Sequence, residues 1–311
     1  MRSRAAVVPV VLACMVWSAA PARADEDVIP GHSVDRPVDG AVHGLAVGAA
    51  LAFSLIPMRE SPTLWVGELL ELDTGVRNQF SRRAAHISDA LLAASLAAPM
   101  VYLTGSTIDD ADGDRLLIYT ESLAINAAIA QGTKRLVQRP RPYRYSKDPE
   151  VRRYAESEGD DGWMSFYSGH ASLSFGAAVT GAYLLGASSD NKLSRGLGWG
   201  VGMMAATATA NLRVRAGKHF YSDVLVGAVV GMAVGYIVPA LHADGKPYVP
   251  DGQEVLAAGA GILGGMLISQ LIPLEKKRTE DGVVQPSAIS RLSLSPVPMP
   301  NGIGFAVGGS L

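Results

Sequence analysis

A single cysteine in 311 residues excludes a scaffold held by disulfides. Charge is also scarce: 18% of residues are charged, against roughly 25% in a typical soluble chain. The formal net charge of -2 leaves no broad cationic face, so nucleic acid is not an expected partner. Aromatic residues are only 6%, so a core must come mainly from aliphatic and small side chains. What is abundant is apolar character. A hydrophobic share of 48% and a mean hydropathy of +0.19 exclude a disordered chain. They point to a helix-rich protein that is tightly packed or in contact with lipid.

The chain begins Met1-Arg2-Ser3-Arg4, continues apolar from Ala5 to about Ala20, and reaches Ala22-Arg23-Ala24 just before Asp25-Glu26-Asp27. A basic start, a short apolar middle and a small-x-small end are the parts of a secretory signal peptide, here residues 1–24 with cleavage after Ala24. An uncleaved anchor fits less well, because the run holds Pro9 and falls short of the roughly 20 residues a span needs. The apolar run also continues past Cys14 through Trp17, which argues against a lipoprotein site. The expectation is therefore export to the periplasm or the cell-envelope membrane.

A polar lead, 25–40, carries Pro30, Pro37 and Gly40. Seven apolar stretches follow: Ala41–Pro57, Ser88–Leu103, Leu116–Leu136, Ala171–Leu185, Leu197–Asn211, Val224–Leu241 and Val255–Ile272. Each is too long for an ordinary strand, and Gly, Pro or acidic residues flank them, so all are read as helices of one domain spanning 41–273. Gly227, Gly231 and Gly235 recur at the spacing that lets helix backbones approach closely. The tail, 274–311, changes character. Its alternating segment around Pro300-Asn301-Gly302 reads as a short β-hairpin.

Three polar clusters interrupt the apolar chain, all at helix ends. The first, Lys134 to Pro142, closes the third helix; its prolines hold Arg141 in an extended stretch while Lys134 stays on the preceding turn. The second is Ser168-Gly169-His170. Ser168 suits an N-cap, Gly169 permits close backbone approach, and the helix start offers N–H groups to an anion. The third holds Arg213, His219 and Asp223. Four residues separate His219 from Asp223, placing both on one helical face, where the carboxylate can orient the ring and leave its other nitrogen as nucleophile or base. Cations and N–H donors for equatorial oxygens, one histidine to attack and another to protonate a leaving oxygen are the residue types of metal-free phosphoryl transfer.

The ordered pattern Lys134-x₆-Arg141-Pro142, Ser168-Gly169-His170 and Arg213-x₅-His219-x₃-Asp223 resembles the signature of the type 2 phosphatidic acid phosphatase (PAP2) superfamily. That superfamily includes lipid phosphatases, bacterial acid phosphatases and vanadium-dependent haloperoxidases. The resemblance implies an all-α fold, a six-helix bundle, here with an additional C-terminal helix and the hairpin tail. It also implies a phosphatase acting on a phosphomonoester of a small molecule or lipid. His219 would form a phosphohistidine, Asp223 would orient it and His170 would be the general acid. Lys134, Arg141, Arg213, Ser168 and Gly169 would hold the phosphate. Two positions depart from the usual pattern: Tyr167 stands where Pro is common and Leu212 where Ser is common.

No metal is expected, since no histidine pair has zinc-site spacing and no nucleotide-binding fingerprint occurs. No cofactor is expected either, vanadate entering only as a phosphate mimic. A haloperoxidase and a non-catalytic envelope scaffold are the competing readings. The loop Tyr143–Trp163 reads as a solvated connection rather than a lid. Membrane association is expected from the uncharged sixth and seventh stretches, whereas Glu121, Asn126 and Gln131 would make the third costly against lipid.

Overall fold

The computed structural model describes residues 31–58, 64–65, 67–103 and 110–273, together with the backbone of 292–299 and 302–309. The expected signal peptide, 1–24, lies outside the described residues. The fold is all-α, as expected. The long helices are α1 (Arg36–Leu55), α2 (Arg82–Leu103), α3 (Asp110–Val137), α5 (Gly169–Ser188), α6 (Lys192–Arg215), α7 (Tyr221–Leu241) and α8 (Gly252–Leu271). A short α4 (Pro149–Ser157) lies in the connection between α3 and α5.

Each apolar stretch read from the sequence falls on one of the long helices, but several helices extend into polar residues. Helix α1 starts at Arg36 rather than Ala41, because Asp35 caps it and Pro37 fits its first turn, where the missing N–H has no partner to lose. The polar lead is shorter accordingly. The loop Tyr143–Trp163 is also more ordered than a solvated connection. Asp148 caps α4 by accepting from the amides of Glu150 and Val151, and Pro149 starts it. In the tail, β1 (Leu292–Met299) and β2 (Gly302–Gly309) run antiparallel. Met299 pairs with Gly302, and the expected turn at Pro300-Asn301 lies outside the described residues.

The long helices alternate in direction, and α5 is the central one: most of its residues are buried, whereas α1 buries none. The polar residues of α3 turn inward. Asn126 accepts from Ser172 Oγ at 2.6 Å, and Ser122 shares a hydrogen bond with Thr180 of α5 at 2.8 Å. The outer helices show water or lipid their apolar side chains instead, Leu45, Leu241 and Leu256 among them, at 75%, 80% and 74% exposure. Helices α1, α2, α5, α7 and α8 are long and apolar enough to cross a membrane, which is compatible with membrane association.

Helix α7 meets α5 through its glycine stripe. A Cβ on Gly227 would stand 2.6 Å from the Ser168 carbonyl oxygen, and one on Gly235 2.7 Å from that of Gly176. At Gly231 the Ser172 carbonyl is closer still. Backbone-to-backbone contact of this kind tolerates no side chain. Gly231→Val should therefore force the two helices apart and lower stability by about 1–3 kcal/mol. Thermal unfolding should show the loss, and the same substitution at the open position Gly259, where nothing lies within 4 Å, should not.

Candidate active site

The three polar clusters converge at one end of the bundle. Helix α3 carries Lys134 in its last turn. Gln138 then adopts a left-handed φ of 52°, which ends the helix, and Arg141 follows in extended backbone between its prolines. Ser168 is the N-cap of α5, accepting from the Ala171 amide. Its own amide donates to the Asp223 carbonyl at 3.1 Å, which ties the start of α5 to the start of α7. A Cβ on Gly169 would sit 3.3 Å from Lys134 Nζ, so the absence of a side chain there leaves room for that ammonium.

Arg213 occupies the last turn of α6, and the chain reverses at Gly217, whose φ of 69° suits glycine. The reversal sends the amides of Lys218 and His219 back to the Arg213 carbonyl, at 3.1 and 3.3 Å. His219 is buried beside Arg141, whose Nη1 lies 3.4 Å from His219 Nε2. His219 Nδ1 lies 2.7 Å from the Ser165 carbonyl. A carbonyl can only accept, so Nδ1 carries the proton and Nε2 presents a lone pair. Burial, followed by the charges of Arg141, Arg213 and Lys134, holds the His219 pKa well below its usual range. The ring is neutral.

One detail of the sequence reading is corrected here. Asp223 does not accept a hydrogen bond from His219; its Oδ2 is 3.8 Å from Nδ1. That oxygen instead accepts from Ser165 Oγ at 2.6 Å and from the Phe220 amide at 2.8 Å. The Ser165 carbonyl takes the ring proton, so Asp223 acts on His219 through Ser165. The spacing was read as one helical face, but His219 precedes α7, and Asp223, the N3 residue of that helix, folds its carboxylate back to cap it.

Four further residues shape the site and were given no role in the sequence. Arg139, 2% exposed, lies between two carboxylates, 2.9 Å from Asp73 and 2.5 Å from Asp223. Its guanidinium also stacks over Trp65 and Phe220, at 4.4 and 4.1 Å from the ring centroids. Asp161, from the loop after α4, pairs with Arg141 Nη2 at 2.6 Å, and its backbone carbonyl accepts from Arg141 Nε at 2.7 Å. Asp89 of α2 accepts from Arg213 Nη1 at 3.0 Å and lies 2.8 Å from His170 Nε2. An isolated carboxylate in an otherwise apolar helix was the signal available for Asp89. Nothing local marks Asp73, whose partner is 66 residues away.

The cations feel one another. Burial, then the Arg141 charge, lowers Lys134 to about 7, with Arg213 adding to the shift and Asp161 and Asp223 opposing it. Arg213 is lowered to about 10 by burial and by Arg141. Buried like charges held this close favour an anion among them. Arg213 Nε has no protein partner among the described residues, leaving a donor for such an anion.

Residues 115–246 match the family model of the PAP2 superfamily, a stretch that holds every residue of the three clusters. That match supports phosphatase-type chemistry broadly. No solved structure gives a significant match to the chain.

The buried charge network makes a direct prediction. Arg139→Leu leaves two carboxylates unpaired in the interior, which costs about 3–5 kcal/mol. Thermal unfolding should reveal that loss. The partial repair Asp73→Asn in the same chain should recover part of it, since one of the stranded charges is then gone.

Proposed function

We propose that the protein is a phosphatase that hydrolyses a phosphomonoester through a phosphohistidine on His219, with no metal in the chemical step. The observation that carries this reading is the neutral, buried His219, its Nε2 lone pair facing Arg141 and its Nδ1 proton fixed on the Ser165 carbonyl. In the first step Nε2 attacks phosphorus and the ester P–O bond breaks. Lys134, Arg141 and Arg213 neutralise the equatorial oxygens, with the Ser168 hydroxyl and the first-turn amides of α5 as further donors. Burial and the Arg213 charge hold the pKa of the free His170 ring down to about 3, so it takes up a proton as the phosphate dianion binds beside it and gives that proton to the leaving oxygen. That histidine is held by Asp89, so the arriving substrate exchanges with the Asp89 carboxylate for both His170 and Arg213. In the second step neutral His170 takes a proton from water. The resulting hydroxide attacks phosphorus, and phosphate leaves His219.

The outer apolar helices support a site at a membrane surface, and with it a lipid phosphate among the substrates. Export, with the periplasm or cell-envelope membrane as destination, remains part of the reading on the strength of the N-terminal sequence.

Phosphate release from a soluble aryl phosphate should persist in excess EDTA. It should fall by more than about a thousandfold in His219→Ala. Retained turnover in that variant, or halide oxidation in the presence of vanadate, overturns the reading.

The pH profile gives a second test. Lys134, lowered to about 7, carries its charge below that pH and loses it above. Thus kcat/KM should fall by about tenfold per unit on the alkaline side. Lys134→Arg keeps the cation at every pH and should move that limb upward, which a kcat/KM profile from pH 5 to 9 would resolve.

A further inference from the structure

A second polar cluster lies at the opposite end of the bundle. Asp39 stands in the first turn of α1, Glu121 projects from α3, and His242 caps the C-terminus of α7. The length of α7 separates this cluster from the start of that helix by roughly 30 Å, at about 1.5 Å of rise per residue. One oxygen or nitrogen from each residue lies within 4.8 Å of the other two.

The arrangement is not that of a satisfied hydrogen-bond network. His242 Nδ1 lies 2.8 Å from the Val238 carbonyl, which fixes the proton on Nδ1 and turns Nε2 toward the carboxylates. Nε2 stands 3.4 Å from Asp39 Oδ1 and 3.9 Å from Glu121 Oε2. Both separations exceed an N–H···O hydrogen bond, which runs to about 3.2 Å. Glu121 is only 4% exposed, and its Oε2, the atom facing the ring, has no hydrogen-bond partner among the described residues. A buried carboxylate oxygen without a donor is costly unless a cation answers it.

We propose that Asp39, Glu121 and His242 bind a divalent transition-metal cation, for which Zn²⁺ is the fitting case. Zinc bonds of about 2.0–2.2 Å to nitrogen and oxygen set tetrahedral ligand atoms roughly 3.3–3.6 Å apart, close to the spacing of the ring nitrogen and its nearer carboxylate. The carbonyl on Nδ1 is the outer partner that orients a metal-binding imidazole. Nothing in the order of residues marks this site, because the three ligands come from three helices and only one is a histidine.

The site has a structural task. Helix α1 buries no residue, so apolar packing alone holds it weakly. Its hold on α3 runs through polar contacts, including Arg36–Asp114 at 3.2 Å and Arg135 to the Ser54 carbonyl at 2.8 Å. A cation shared by α1, α3 and α7 staples this outer helix to the core, far from the phosphoryl chemistry.

The test uses the full chain, stripped with EDTA and titrated calorimetrically with ZnCl₂ in excess Mg²⁺. One Zn²⁺ per chain with a micromolar or tighter Kd is expected, together with a rise in Tm and slower proteolysis within α1. Asp39→Asn, at the bundle edge where folding is not at risk, and Glu121→Gln should each weaken binding at least tenfold. His219→Ala should bind Zn²⁺ as the parent does, and phosphate release by Asp39→Asn should match the parent's. Absence of stoichiometric Zn²⁺ binding overturns the proposal, as would equal affinity in Asp39→Asn; a protonated imidazole would then join the two carboxylates.

Discussion

The backbone contact between α5 and α7 is the constraint on which the site depends. Gly227, Gly231 and Gly235 present bare backbone to the carbonyls of Ser168, Ser172 and Gly176, residues of matching four-step spacing. Two stripes in register allow only one axial alignment, since a shift by one residue puts a side chain into a carbonyl. That alignment brings the Ser168 amide onto the Asp223 carbonyl, so the start of α5 and the start of α7 are locked at one level. The donors of one helix end thereby face His219, which precedes the other. Gly169 extends the principle to a third helix by making room for Lys134 of α3. Packing of small residues and assembly of the site are the same event.

Such an assembly concentrates positive charge, and the structure meets it at two depths. In the interior, Arg139 lies between Asp73 and Asp223 and is covered by aromatic rings, a permanent arrangement that no solute reaches. Nearer the surface, Asp89 and Asp161 are 54% and 42% exposed in their side chains and pair with Arg213 and Arg141. An exposed carboxylate on a buried guanidinium has weak competition to offer, because water solvates it as soon as it leaves. The outer carboxylates therefore keep the cations in position yet can be displaced, whereas the inner pair keeps Arg139 fixed.

Most of the fold was legible because its signals are local and periodic. Long apolar runs without strand-like alternation gave every long helix, and the three clusters carried their own spacing and order. Misjudged boundaries have a common cause: polar first turns, as at Arg36 and Arg82, satisfy the helix by capping rather than by burial. The same holds for α4, whose Asp148 cap and Pro149 start lie inside a charged loop with no apolar run to announce it. In the site, the cations and histidines of the three clusters belong to compact motifs and could be read. Asp89 and Ser165 act across large sequence distances on groups already identified, and Asp73 on Arg139, which was not; only the folded chain shows which atom each one meets.

The placement of polar and apolar surface follows from the same economy of side chains. A chain with few charges must spend them where they are paired, and α3 shows how. Ser122 and Asn126 are fully buried against α5, and the charged Lys134 and Arg135 wait until the last turn. The interior is lined with hydroxyls and amides that satisfy one another, while leucines and valines of α1, α6, α7 and α8 point outward. In water this exterior would be an association surface, since contiguous apolar patches on soluble monomers rarely exceed a few hundred Å². A membrane surface, as in the function proposed above, would remove that liability and leave the helix ends as a polar boundary. In that setting the cations clustered at one of those boundaries would meet phosphate headgroups, with His219 beside them.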